Sequence, residues 1–154
     1  MTNVGNLCDT LLGSAELIST LRAAGKTRQL PAGSVLFAAG DENAGVFVVD
    51  RGEVLLQVPH TPHLDRVFME GSVLGLPSTF TGEPYRLKAV ALTDVDLIQV
   101  EPKTFLQLMS TRVECCRHAM LLLSREITFI LNAFRTTSPG TETGPMDGIY
   151  PTLP

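Results

Sequence analysis

The chain has 154 residues, 44% of them hydrophobic, enough for one well-buried core and too few for two full domains. Twelve Lys and Arg stand against 16 Asp and Glu, a net charge of −4 with no basic run, so the electrostatic footprint of a direct nucleic-acid binder is missing. No stretch approaches the ~20 apolar residues of a membrane span, the opening MTNVGNLCDT lacks a signal-peptide pattern, and three cysteines, two of them adjacent, argue against a disulfide framework. A cytoplasmic chain is expected.

In chain order, Asn6 and Ser14 suit the N-caps of two short helices, roughly Leu7 to Leu12 and Ala15 to Ala24, with Leu17, Ile18 and Leu21 on one face and Gly25 as a stop. Cys8 reads as a small buried hydrophobe rather than a cluster or haem ligand, since no spaced cysteines accompany it. Lys26 to Leu30 is a short strand closed by Pro31. Between Gly33 and Val58, apolar runs at Val35 to Phe37, Val46 to Val49 and Val54 to Leu56 are punctuated by glycines, which predicts three short buried strands. Asp50-Arg51-Gly52 predicts a tight hairpin, and Gly40 to Gly45 a longer polar loop at the mouth of the fold. Pro59 to His63 is a hairpin tip, whose two histidines lack the further ligands a metal needs.

Leu64 to Glu70 returns as a strand, Gly71-Ser72 turns, and Val73-Leu74 is a brief strand ending at Gly75. Leu76 to Lys88 then breaks the rhythm with Pro77, Gly82 and Pro84. Such an interruption is either an anion-capable ligand loop, with Arg86 or Lys88 supplying charge, or a surface crossover with solvated cations. Strands follow at Ala89 to Leu92 and Val95 to Val100. Glu101-Pro102 starts a helix to about Met109, and Ser110-Thr111 caps a long one, about residues 111–135. On the long helix Val113, Cys116, Met120, Leu123, Ile127, Ile130 and Phe134 repeat at spacings of three and four, the seam of a coiled coil, while Leu121, Leu122, Phe129 and Leu131 form a second apolar side that can pack on the strands. A homodimer through the seam is expected; burial of a single helix along its own barrel is the alternative. Residues 137–154 carry four prolines and three glycines and are expected to be a flexible tail.

The succession of PAGSVLFAAGDENAGVFVVDRGEVLLQV, EGSVLG, an interrupted loop and AVALTDVDLIQVEPKTFLQLM resembles the cyclic nucleotide-binding domain of the Crp/Fnr regulators, over roughly Thr27 to Phe134. The resemblance implies a mainly β fold with flanking helices, a jelly-roll barrel with N-terminal helices and a long C-terminal helix, within one domain at residues 1–136. It implies a non-enzymatic, ligand-sensing regulatory module, without certain cofactor, whose ligand is a cyclic nucleotide or another small anion. It places the ligand loop at Gly75, Leu76, Pro77, Ser78, Tyr85, Arg86 and Leu87. Where the family has a ribose-binding Glu this chain has Leu76, and where it has the phosphate-binding Arg a gapless count gives Tyr85, with Arg86 one residue later, so that a single-residue shift would restore an Arg. The fold is therefore expected to be kept and ordinary cyclic AMP binding to be lost. The helix-turn-helix that follows in the resembled regulators needs more chain than residues 138–154 provide, so direct DNA reading is not expected. Two other classes stay open: a ligand-free dimerisation or protein-docking module, and a cupin-like metalloenzyme, for which His60, His63 and His118 are poorly placed.

Overall fold

The computed structural model describes residues 14–137. The helix expected before Ser14, Cys8 and the segment after Thr137 lie outside the described residues. Helix α1, Ala15–Ala24, is capped by Ser14, whose hydroxyl accepts the Leu17 N–H, and it buries Leu17, Ile18 and Leu21. Eight strands follow: β1 Lys26–Leu30, β2 Val35–Phe37, β3 Val46–Arg51, β4 Val54–Gln57, β5 Arg66–Phe68, β6 Val73–Leu74, β7 Lys88–Ala91 and β8 Val95–Val100. They build two antiparallel four-stranded sheets, ordered β1-β8-β3-β6 and β2-β7-β4-β5.

Every connection except β4 to β5 carries the chain from one sheet to the other, the winding of a jelly roll. The sheets form a sandwich rather than a closed barrel, because β1, β6, β2 and β5 each pair on one side only among the described residues. The hairpin expected at Asp50-Arg51-Gly52 is also corrected. Its two strands lie in opposite sheets, so the turn is a corner, and at Gly52 (φ 96) a Cβ would stand 2.4 Å from the Asp94 carbonyl oxygen. A turn motif in the sequence says where the chain bends, not which sheet the next strand joins.

Strand β3 is buried on both faces, which explains its unbroken apolar run. One face meets the second sheet in a core of Phe37, Phe47, Val49, Leu56, Phe68, Tyr85 and Leu97. Its other face, Val46 and Val48, packs with Ile98 and Val100 under the helices, against Leu17, Leu21, Phe105, Cys115, Ala119 and Leu122. The interrupted loop opens with a short helix, α2 (Leu76–Thr81), since Pro77 sits in the first turn, where its missing N–H costs nothing.

Helix α3, Pro102–Thr111, begins at its first-turn proline as expected. Ser110 and Thr111 do not cap the long helix: their hydroxyls donate to the carbonyls of Gln107 and Leu108 in the last turn of α3. Arg112 is extended (φ −118, ψ 94) and separates α3 from α4, the 25-residue helix Val113–Thr137. On α4 it is Cys115, Ala119 and Leu122 that face the sandwich. Of the predicted seam, Val113 (76%), Met120 (49%) and Ile127 (51%) are exposed, whereas Cys116 and Leu123 pack in part against the chain's own core. The side chains of Ile130 and Phe134 lie outside the description. Leu121 and Leu131, expected to pack inward, are exposed and widen the outward apolar face, because at about 100° per residue they lie roughly 100° and 180° around the helix from the buried Leu122.

Candidate ligand cavity

Where α2, the following loop and α4 meet, a cavity of about 410 Å³ opens over the second sheet. Gly75, Pro77, Ser78 and Thr81 form one wall, Phe37, Leu56, Tyr85 and Leu87 the floor, and Glu126 and Ile127 of α4 another wall, with Glu83 and Arg86 also lining it. The backbone at Gly75 (φ 87) is left-handed, and a Cβ there would stand 2.8 Å from the Gly45 carbonyl oxygen, so only glycine brings α2 this close to the β2–β3 loop.

Six of the seven predicted loop residues, Gly75, Pro77, Ser78, Tyr85, Arg86 and Leu87, therefore line one cavity. Leu76 does not. The first turn of α2 rotates it into the helix-side core, where it is 1% exposed beside Phe105 and Val73. Ser78 donates from its hydroxyl to the Pro84 carbonyl at 3.3 Å, and Thr79 donates to Asn43 Oδ1, so the segment is tied both to itself and to the β2–β3 loop.

Tyr85, at the position aligned with the phosphate Arg, has a structural task. Its ring stacks on Phe37 with centroids 3.9 Å apart and planes 10° from parallel. Its hydroxyl donates to the Gly45 carbonyl at 2.6 Å and accepts the Ala44 N–H at 3.0 Å. Burial raises the phenol above its usual pKa, against the lowering by those two backbone contacts, so it stays a neutral donor. Arg86 points to the rim, mostly in solvent, and spends its guanidinium on Glu83 at 2.7 Å.

A second cation lies deeper and the sequence reading passed over it. Arg66 of β5 is 7% exposed, with Nη2 3.3 Å from Glu126 Oε2. Its guanidinium lies over the rings of Phe68, 5.1 Å from the centroid, and Phe129, 4.7 Å. Its Nη1 is buried without a hydrogen-bond partner, the one such side-chain atom among the described residues. Burial lowers the Arg66 pKa and raises that of Glu126, while their mutual attraction opposes both shifts. A signal was present: Arg66 and Phe68 are two apart in a strand, so they share a face, and the Phe face is the inward one. No group of three or more His, Cys, Asp or Glu among the described residues could hold a metal, and none of those residues forms a helix long and apolar enough to cross a membrane.

The model of the family described as the cyclic nucleotide-binding domain matches residues 27–112. Among solved structures, a protein from work on a cyclic-GMP-dependent signalling pathway in bacterial phytopathogenesis is 24% identical with a TM-score of 0.67, over 79% of this chain and 96% of its own. The catabolite activator protein of Thermus thermophilus is 20% identical, TM-score 0.68, over 81% of this chain and 60% of its own. The c-di-GMP-responsive regulator CLP of Xanthomonas campestris is 19% identical, TM-score 0.66, over 91% of this chain and 70% of its own. At such identities the likeness is one of fold. A search of curated proteins returned no match.

Proposed function

The chain belongs to the cyclic nucleotide-binding domain family, and from that premise we propose that it is a non-catalytic regulatory module that senses a small anionic ligand in the cavity and signals through α4. The observation that carries this is the shared wall: Glu126 and Ile127 line the cavity, and Ile127 also lies on the exposed apolar face of α4. A ligand that touches them acts directly on the surface offered to a helical partner. That partner is a second copy of the chain, since Val113, Met120 and Ile127 recur every seven residues on one exposed face.

The ligand is a cyclic nucleotide other than cyclic AMP, or another small anion with an apolar body. Tyr85 is committed to Gly45 and Ala44, Arg86 to Glu83, and Leu76 to the core, so the phosphate and ribose contacts of a cyclic AMP binder are not supplied from this loop. The test is a thermal-shift and calorimetry panel of cyclic AMP, cyclic GMP and cyclic di-GMP. Saturating a true ligand to about 100 times its Kd should add ~2.7 kcal/mol of stability, and Leu87→Trp, which fills the cavity, should remove the effect. Cyclic AMP should bind no tighter than about 100 micromolar, ~5.5 kcal/mol. A panel without any stabilisation would favour the ligand-free dimerisation module instead.

A further inference from the structure

The charges around the cavity do not balance in the way an anion site requires. Of its lining residues Glu83, Arg86 and Glu126 carry charge, and the single cation among them is already paired at 2.7 Å in solvent. Arg66 does not itself line the cavity but contacts the carboxylate of Glu126, which does, and it is the less satisfied of the two arginines. Its contact to Glu126 is a single bond at 3.3 Å, whereas charge-assisted N–H···O⁻ bonds usually close to about 2.7–2.9 Å and arginine favours a bidentate grip. Its Nη1 donors are buried and unused. Buried donors are nearly always satisfied in folded proteins, so an exception calls for a missing acceptor. Phe68 and Phe129 hold the guanidinium in place, which leaves its edge, with its unused donors, as the surface for a second oxygen.

We propose that Arg66 is the anion-binding residue of this cavity and that Glu126 holds its place: an oxyanion on the ligand, a phosphodiester or a carboxylate, takes the two terminal guanidinium nitrogens, Nη1 and Nη2, and displaces the Glu126 carboxylate. The proposal rests on the cavity being the ligand site. It moves the ligand's charge partner from the loop after α2 to strand β5. The exchange makes and breaks no covalent bond. A monodentate, desolvated carboxylate is replaced by a bidentate acceptor, and the middle of α4 loses its polar tie to β5, so binding is coupled to freedom of the helix. Specificity then lies in the anion and in the apolar floor of Phe37, Leu56 and Leu87.

Two probes separate the proposal from the reading beneath it. Inorganic phosphate tests the anion site alone, and cyclic GMP and cyclic di-GMP test the cavity as a nucleotide site. Thermal shifts with phosphate should be larger in Glu126→Gln than in the wild type, and near zero in Arg66→Met paired with Glu126→Gln, a double variant that leaves no buried unpaired charge. Arg66→Lys, which keeps the charge and loses the fork, should fall between. Any nucleotide that binds should do so at least tenfold more tightly to Glu126→Gln than to the wild type. Equal phosphate shifts in all variants would overturn the assignment of Arg66 whether or not a nucleotide binds. Nucleotide binding that survives in the double variant and is lost in Arg86→Ala would overturn it while leaving the cavity as the ligand site.

Discussion

Tyr85→Phe removes one oxygen atom from the floor of the cavity and leaves the ring stacked on Phe37. That oxygen accepts the Ala44 N–H and donates to the Gly45 carbonyl, and Tyr85 is 3% exposed, so water cannot replace it freely. Two hydrogen bonds at about 1 kcal/mol each, with a further cost for any group left buried and unpaired, give a loss of ~1.5–3 kcal/mol. For a domain of this size the melting temperature should fall by about 5–10 °C. Circular dichroism melts, with urea titrations to confirm an unchanged m-value, measure it. Tyr85→Arg should be worse than Tyr85→Phe, because it also loses the stack and drives a guanidinium into a packed floor; it should not create a cyclic AMP site. A Tyr85→Phe protein within 0.5 kcal/mol of wild type, or a stable Tyr85→Arg protein that binds cyclic AMP, would refute the structural role assigned to this residue.

Met120→Glu combined with Ile127→Glu places charges on the two half-exposed seam positions without touching the inward stripe, and sedimentation should show a dimeric wild type and a monomeric, folded variant; a wild type already monomeric at high micromolar concentration would reject the seam. Burial holds the Glu126 carboxyl above its ordinary value of 4.5, so between that value and its folded pKa the native state binds more protons than the unfolded chain. This group's contribution is therefore most favourable below about pH 4.5 and is lost as pH rises through the folded pKa. The stability of the wild type relative to Glu126→Gln should accordingly decline over that window in urea titrations at stepped pH, and a difference that stays flat would remove the desolvated carboxylate from the account.

Strands β2, β3 and β4 were legible because each is a short apolar run punctuated by glycines, and β1, β6 and β8 fall where their residues alone put them. Helix α1 was equally plain from Ser14, its three buried apolar residues and Gly25. Sheet membership was not legible. Turn residues encode a bend in the chain, while the partner of β3 is set by packing against β8, some fifty residues away in sequence. In the candidate site, the loop residues could be found from Gly75 and the breaks after it. Leu76 was assigned to the site only through the position of the resembled family's ribose-binding Glu, and the short helix that Pro77 opens turns its side chain into the helix-side core instead. The Arg66–Glu126 pair joins residues 60 apart, one read as part of a strand and the other not singled out at all. No local pattern links such residues; only the docking of α4 on β5 does.

The interruption at Arg112 gives α4 the mechanics of a lever. Helix α4 has 25 residues, about 37 Å at 1.5 Å per residue, and Glu126 stands roughly 20 Å from the break. A tilt of about 10° around Arg112 would move the backbone at Glu126 by ~3–4 Å and the far end of the helix by ~6 Å. The fulcrum is a single extended residue, the effort is applied near the middle of the arm, and the output at the tip is nearly twice the input. A displacement imposed beside Glu126 would thus be largest at the far end of the longest element among the described residues.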